Sequence, residues 1–388
     1  MGNTKNIPYG CQSVDEQDLK AVADALTSGW LTTGPKVDEF EEAVARLSGV
    51  QYGVAVSSGT AALHAAMFAF NIKEGDEVIL PPMTFAATAN CVAYMGATPV
   101  FADVAPDTLL IDPVEVKKKI TSKTKGIITV DYAGHPCDYN ALRKIADKHG
   151  LFLAADACHS FGGSYSGSPV GSLADITTYS FHPVKHITTA EGGMAVTENP
   201  EYRKRMLRFR NHGINADFKE RPDWFYEMDD LGFNYRISDI QCALGLSQLK
   251  KLPQWLERRR KIAHEYDRAF ADVNEIKIIG SKTETKHAYH LYVINLQGEG
   301  REKLRRSVFT YLREHGIGAQ VHYIPVHLHP YYEKNYKTKS GMCPVTEKAY
   351  EGILSLPIFP DMDNAAIERV VKTVKSAIAT AKGQQCQK

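Results

Sequence analysis

One lysine sits in unusual company. Lys185 lies in the run Tyr179-Ser180-Phe181-His182-Pro183-Val184-Lys185-His186-Ile187-Thr188-Thr189-Ala190-Glu191-Gly192-Gly193-Met194, among small, hydroxylated and apolar residues. A lysine on a solvated face keeps charged neighbours. Here Pro183 and Val184 precede it, and hydroxyls and glycines follow. Taking an ammonium out of water weakens its charged form, so the amine becomes a nucleophile able to form a Schiff base with a carbonyl. Alone, such a lysine is more often a loop residue beside a Gly-Gly turn. Two further stations weigh against that reading. Asp156 closes the apolar run 151–155, and Ser57-Ser58-Gly59-Thr60 stands ahead of the alanine-rich stretch 61–70. A helix N-terminus offers free N–H groups and a partial positive charge, which suit a phosphate. Gly59 lets the backbone approach closely, and Ser58 and Thr60 add hydroxyl donors. By itself this turn, too, is an ordinary capped helix more often than a phosphate site.

These side chains need a scaffold, and the pattern around them supplies one. Residues 14–26 read as an amphipathic helix, with Leu19, Val22, Ala23 and Leu26 at helical spacing, Ser13 as N-cap and Glu16 three residues on. Gly29 to Pro35 is a loop, and 37–47 a second helix. Then strands at 52–56, 77–80, 99–103, 125–130, 151–155, 176–180 and 193–196 interleave with helices at 61–70, 86–95, 113–120 and 139–149. This alternation predicts a mostly parallel sheet with helices on both faces, an α/β fold. Such sheets bind ligands beyond the carboxyl ends of their strands. Ser58, Asp156 and Ser180 all follow strand ends, so one crevice can hold them together.

The rest of the chain is less regular. Residues 200–211 form a basic helix (Arg203, Lys204, Arg205, Arg208, Arg210) with a solvated or interface face. Residues 212–230 are a long irregular segment whose Trp224, Phe225 and Tyr226 favour packing. A helix ends at Leu249, and a long one over 252–270, carrying Arg258-Arg259-Arg260, links two units. Beyond it the pattern is α+β: strand 289–296, helix 302–315, strand 319–323, a run at 350–354, a final helix over 364–381 and a frayed end at 383–388. The division expected is a large α/β unit over 13–250 and a small α+β unit over 251–388, joined by the segment 1–12.

Composition narrows the class. The 388 residues are 44% hydrophobic and 23% charged, values of a soluble globular protein, and exceed one ordinary core. A net charge of +1 gives no basic field for nucleic acid. The first residues lack a signal-peptide pattern, and no apolar stretch reaches the ~20 residues of a spanning helix, so no membrane partner is expected. The seven cysteines form no C-x-x-C pair, which argues against zinc and a disulfide framework and for a reduced cytoplasm. His322, His327 and His329 lack acidic or thiol ligands at metal spacing, so no metal is expected.

Together these stations resemble the pyridoxal-phosphate (PLP) dependent sugar aminotransferases of the DegT/DnrJ/EryC1/StrS family, in the aspartate-aminotransferase-like fold (PLP fold type I). The resemblance spans nearly the whole chain. It rests on Gly29 to Pro35, Ser57 to Leu63, Pro82-Met83-Thr84-Phe85, Asp156-Ala157-Cys158-His159, the run Ser180 to Gly193, Asn234-Tyr235-Arg236 and Tyr323-Ile324-Pro325-Val326-His327. It implies that Lys185 bonds the cofactor's aldehyde and then shuttles a proton, and that Asp156 keeps the pyridine nitrogen protonated. Phe85 matches an aromatic that stacks on the ring. Ser58, Gly59, Thr60, Ala61 and Ser180 match a phosphate cradle. Asn234 matches a residue reaching the phosphate from a second subunit, which implies a homodimer with sites at its interface. Thr32, Arg236, Tyr323 and His327 fall in segments lining the substrate side. His159 stands where many members have glutamine, and Ala190 where glycine is common. Relatives that dehydrate sugars carry histidine in place of the lysine, so Lys185 implies transamination. The activity implied moves an amino group from glutamate to a ketosugar, through the pyridoxamine form of the cofactor. Ala133-Gly134-His135-Pro136-Cys137-Asp138 and Ser180 to Lys185 resemble the pseudaminic-acid pathway subgroup, whose acceptor is a nucleotide-linked 4-keto-6-deoxy sugar. An oxidised octulosonic acid of the Kdo type is a second acceptor, and a PLP-binding sensor without turnover a reading from another class.

Overall fold

The computed structural model describes residues 6–215 and 223–385. Seven strands form the main sheet: β1 Tyr52–Val56, β2 Glu77–Leu80, β3 Thr98–Phe101, β4 Thr124–Val130, β5 Phe152–Asp156, β6 Ile176–Ser180 and β7 Gly193–Thr197. Their order is β1-β7-β6-β5-β4-β2-β3. The four pairings from β6 to β3 are parallel, and β7 runs antiparallel to both β1 and β6. Apart from the edge strand β3, the strands are buried on both faces, as a sheet covered on each side requires. Side-chain alternation sorts them into two cores. Val54, Val56, Val78, Leu80 and Ala154 join the alanine-rich helix α3 (Gly59–Ala69) and α4 (Ala87–Tyr94). Ile79, Leu153 and Ala155 join α6 (Tyr139–His149), and Ala55 and Met194 pack on α2 (Pro35–Ser48).

The topology brings the strand ends together. β1 and β6 are each antiparallel to β7, so they run the same way and finish at one edge. Gly193 faces both Val56 and Ser180 in the register. Asp156 ends β5 at that edge, between Val130 and Thr178.

A second sheet of three antiparallel strands, Ile276–Ile278, Tyr292–Leu296 and Ile353–Leu356, has its own apolar core with helices Arg301–Glu314 and Asn364–Gln385. The helix Leu252–Phe270 spans both cores: Leu252 and Leu256 pack beside Phe181, whereas Ile262, Tyr266 and Phe270 pack in the C-terminal core. Ile7 joins the latter through backbone bonds with Gly316 and Gly318, which leads the chain past Tyr9.

Several expectations change. Helix α1 covers Glu16–Thr27, not 14–26, because Asp15 is the N-cap in a capping box with Asp18. Its apolar stripe also points the other way: Leu19 is 65% and Leu26 55% exposed. Asp18 is buried instead, bonded to Lys251 Nζ at 2.8 Å and Gln248 Nε2 at 2.6 Å. No strand forms at 319–323, where Gln320 makes a single bridge to Ser355. Trp224, Phe225 and Tyr226 are exposed rather than packed. The basic helix (Pro200–Arg210) is more engaged than expected, since Arg210 pairs with Glu41 at 2.5 Å and Arg208 with Asp230 at 2.7 Å. Of the segment expected to fray, 386–388 lies outside the described residues. No described helix is long and apolar enough to cross a membrane.

Candidate active site

A cavity of about 400 Å³ opens at the carboxyl edge of the main sheet. Ser58, Gly59, Thr60, Phe85, Asp156, His159, Ser180, Lys185 and Tyr323 all line it. Sequence reasoning placed each of these at a site, and the fold brings them to one.

The cradle is built by close packing. Ser58 caps α3, its Oγ accepting from the Ala61 amide at 3.1 Å. The first helical amides, at Gly59 and Thr60, have no partner within the helix, as at any helix start. A Cβ on Gly59 would sit 2.8 Å from Ser180 Cβ and 3.3 Å from Cys158 Sγ. A Cβ on Gly193 would lie 2.3 Å from the Ser58 carbonyl oxygen. Glycine at both positions lets the helix start descend onto the end of β6. Ala61 departs from expectation: its amide is taken by Ser58, and its side chain is buried in the core rather than on the cavity wall.

Asp156 is buried, with Oδ2 accepting from Thr88 Oγ1 at 2.6 Å and Oδ1 from the Cys158 amide at 3.3 Å. Lys185 is half-buried behind Val184. Loss of water lowers its pKa from the ordinary lysine value, while Cys158 and Asp156 pull the other way. More of the amine is therefore unprotonated than on a solvated lysine. His159 Nε2 lies 3.1 Å from Tyr323 Oη. Burial first, then the charge of Lys185, pushes His159 well below the usual imidazole range, so the ring is neutral. Phe85 is 60% exposed, its ring open to the cavity and 6.0 Å from that of Tyr323. Ala190, at the position where glycine was noted as common, has φ +64°, which explains that preference.

Three expected substrate residues lie elsewhere, and so does Asn234. His327 is fully buried, with Nε2 on Glu347 Oε1 at 2.9 Å, so it braces the C-terminal segment and does not reach the cavity. Thr32 and Arg236 line a separate, larger cleft of about 950 Å³ with Arg203 and Arg208. Arg236 Nη1 donates to Asn211 Oδ1 at 2.7 Å. Asn234 is exposed, bridged to Asn211, and outside the lining of the cavity. Conversely, sequence reasoning missed Tyr9, Thr88 and His290, while His322, one of the histidines read as local structure or substrate contact rather than metal ligands, does reach the cavity. Tyr9, His290 and His322 line the cavity, and Thr88 holds Asp156 from behind it. Only Thr88 carries a sequence signal, a hydroxyl four residues after Thr84.

A model of the DegT/DnrJ/EryC1/StrS aminotransferase family matches residues 12–375. The chain belongs to this family. Spore coat polysaccharide biosynthesis protein SpsC of Bacillus subtilis is 37% identical over 380 residues, covering 97% of this chain and 98% of its own. Helicobacter pylori PseC, an aminotransferase involved in the biosynthesis of pseudoaminic acid, matches with a TM-score of 0.91 at 33% identity, over 97% of this chain and 100% of its own. Spr1654 of Streptococcus pneumoniae, solved in a PLP-form, matches with a TM-score of 0.91 at 31% identity, over 97% and 99% of the two chains. As a DegT/DnrJ/EryC1/StrS aminotransferase, the protein has PLP fold type I and is a PLP-dependent sugar aminotransferase. The cavity fits that cofactor. It has a helix start with free amides, a pair of glycines where a Cβ would intrude, an exposed aromatic face, a buried carboxylate and a desolvated lysine.

Proposed function

We propose that the protein transfers an amino group from glutamate to a nucleotide-linked 4-keto-6-deoxy sugar, as a step in surface-polysaccharide or aminosugar synthesis. The observation that carries the transfer is the meeting of Lys185, Asp156 and the α3 N-terminus in one cavity. The nature of PseC and SpsC, concerned with pseudoaminic acid and spore coat polysaccharide, supports the sugar.

Each residue has a task. Gly59, Thr60 and Ser180 hold the phosphate through amides and hydroxyls. Phe85 covers one face of the ring. Bound PLP supplies an electron sink conjugated to the reacting carbon. Asp156 accepts a hydrogen bond from the ring nitrogen and keeps it protonated. Lys185 holds the cofactor through its amine. When released, it takes the proton from the donor's α-carbon and returns one later, as base and then acid. Its lowered pKa suits the first of these tasks. His159, neutral and fixed by Tyr323, is a hydrogen-bonding neighbour for the ring.

The active unit is a homodimer in this reading, with Asn234, Thr32 and Arg236 serving the partner's cavity. Their absence from the lining of their own chain's cavity supports it, as do the exposed Leu19, Leu26, Trp30 and Leu31. The division at residues 250–251 is supported by the helix Leu252–Phe270, whose two halves pack in different cores. The six cysteines among the described residues are all free, which supports a cytoplasmic setting.

The test is spectroscopic and chemical. The purified protein, supplied with PLP, should show the visible band of lysine-bound cofactor and lose it with glutamate, and Lys185→Ala should lack the band. Release of 2-oxoglutarate, followed with nucleotide-linked ketosugars and with an oxidised octulosonate, selects the acceptor. Colour without release of 2-oxoglutarate from glutamate in the presence of any ketosugar would favour a sensor and sink the transfer.

A further inference from the structure

Asp156 is propped by a row of two hydroxyls, Thr88 outside the cavity lining and Thr84 on the cavity wall. Thr88 Oγ1 donates to Asp156 Oδ2 at 2.6 Å, and Thr84 Oγ1 lies 2.6 Å from Thr88 Oγ1. The two threonines are 0% and 1% exposed. Thr88 has one hydroxyl proton and gives it to the carboxylate, so the proton between the threonines comes from Thr84. The file therefore has a direction: Thr84 to Thr88 to Asp156. Short bonds of this kind onto an ionised oxygen are charge-assisted and stronger than neutral ones. The Cys158 amide on Oδ1 completes the hold, so neither carboxylate oxygen is free to swing.

The far end is anchored on backbone. The Thr84 amide donates to the Pro82 carbonyl at 3.1 Å, and the Val326 amide donates to the same oxygen at 2.9 Å. Thr84 also immediately precedes Phe85. One short segment thus carries both the aromatic wall of the cavity and a prop of its carboxylate.

Resting on the reading that Asp156 faces the pyridine nitrogen, we propose that Thr88, backed by Thr84, is a positioning residue that fixes Asp156 as a charged acceptor for that nitrogen. Two quantities then depend on Thr88: how tightly the cofactor is held, and the pH at which its ring titrates. A residue that merely filled space would move neither.

The experiment compares Thr88→Val, Thr88→Ser and Thr84→Val with the wild type, each as apoprotein titrated with PLP and as holoprotein scanned across pH. Thr88→Val keeps the volume and loses the hydroxyl. It should bind PLP about 10- to 100-fold more weakly, the scale of one hydrogen bond to a charged group, and shift the pH dependence of the bound cofactor's spectrum. Thr88→Ser should restore both to within a few-fold. Thr84→Val should fall between. Unchanged PLP affinity and spectral titration in Thr88→Val would overturn the proposal, as would a Thr88→Ser protein as impaired as Thr88→Val. If Thr88→Val does not fold, an unaltered spectrum in Thr84→Val overturns it instead. Failure of the wild type to take up PLP would refute the functional reading rather than this one.

Discussion

Glu347 is the hub of a clamp in the C-terminal segment, and its titration can be worked out. Its carboxylate accepts from His327 Nε2 and the Gly341 amide at 2.9 Å, the Cys343 amide at 3.2 Å and Ser340 Oγ at 2.9 Å. Burial alone would raise its pKa. The donors at Gly341, His327, Ser340 and Cys343 outweigh that and hold it at about 2, against an ordinary 4.5. A carboxyl depressed on folding stabilises the native state above its unfolded pKa, and the contribution is lost as pH falls toward the folded value. Linkage gives about 3 kcal/mol at about pH 7 and about 2 kcal/mol at about pH 3.5. Glu347→Gln keeps the shape and removes the titration. Urea unfolding of both proteins, saturated with PLP so that cofactor linkage cancels, should show a stability gap that narrows by about 1 kcal/mol over that range. A gap independent of pH would refute the charge-assisted clamp. His327→Ala should likewise cost stability while activity per folded molecule survives, because the imidazole is walled off from the cavity.

Two further substitutions probe separate joints. Gly59→Ala, at the first helical position, sets a methyl 2.8 Å from Ser180 Cβ, overpacking that costs about 1–3 kcal/mol. Stability should fall by that amount, and PLP affinity, read by equilibrium dialysis, should drop at least about tenfold because the cradle is displaced. Asp18→Ala removes a buried acceptor from Gln248 and one of the two carboxylates on Lys251, which keeps Asp15 at 2.6 Å; it should destabilise by about 1–2 kcal/mol in urea, leaving turnover per folded molecule intact.

The strands were legible because each lies in a sheet buried on both faces. Such strands read as short apolar runs, and 52–56, 77–80 and 176–180 were placed to the residue. What covers an apolar stripe is not written in its periodicity. Leu19 and Leu26 have helical spacing, yet they face outward, and the buried residue just before Leu19 is a carboxylate, Asp18, whose lysine partner comes more than 230 residues later. The stretch 319–323 has β-prone residues but makes one bridge, because it turns at once to deliver Tyr323 to the cavity. Within the site, Lys185, Asp156, Ser58 and Ser180 were found by a rule of topology: parallel strand ends meet. Tyr9 and His322 obey no local rule. Tyr9 arrives because Ile7 pairs with Gly316 and Gly318, and His322 is set by Tyr132 Oη on its carbonyl at 2.5 Å.

Asn234, Thr32 and Arg236 pose a different problem: a motif in one chain does not say whose cavity it serves. Arg236 and Thr32 face the larger cleft, and Asn234 is exposed; none of the three lines the cavity that holds Lys185 of the same chain. If they act across a two-fold axis, each site combines Lys185 of one protomer with Asn234 of the other. Lys185→Ala and Asn234→Ala proteins, each impaired alone, then complement when their dimers are dissociated and mixed. A mixed dimer holds one intact site, Lys185 from one chain beside Asn234 from the other, and one doubly damaged site. Random pairing makes half the dimers mixed, so activity should recover to about a quarter of the wild-type value per protomer. Residues acting within one chain could not complement, since every site would keep one lesion. Mixtures that gain nothing despite exchange of subunits would therefore place Asn234 outside the partner's site.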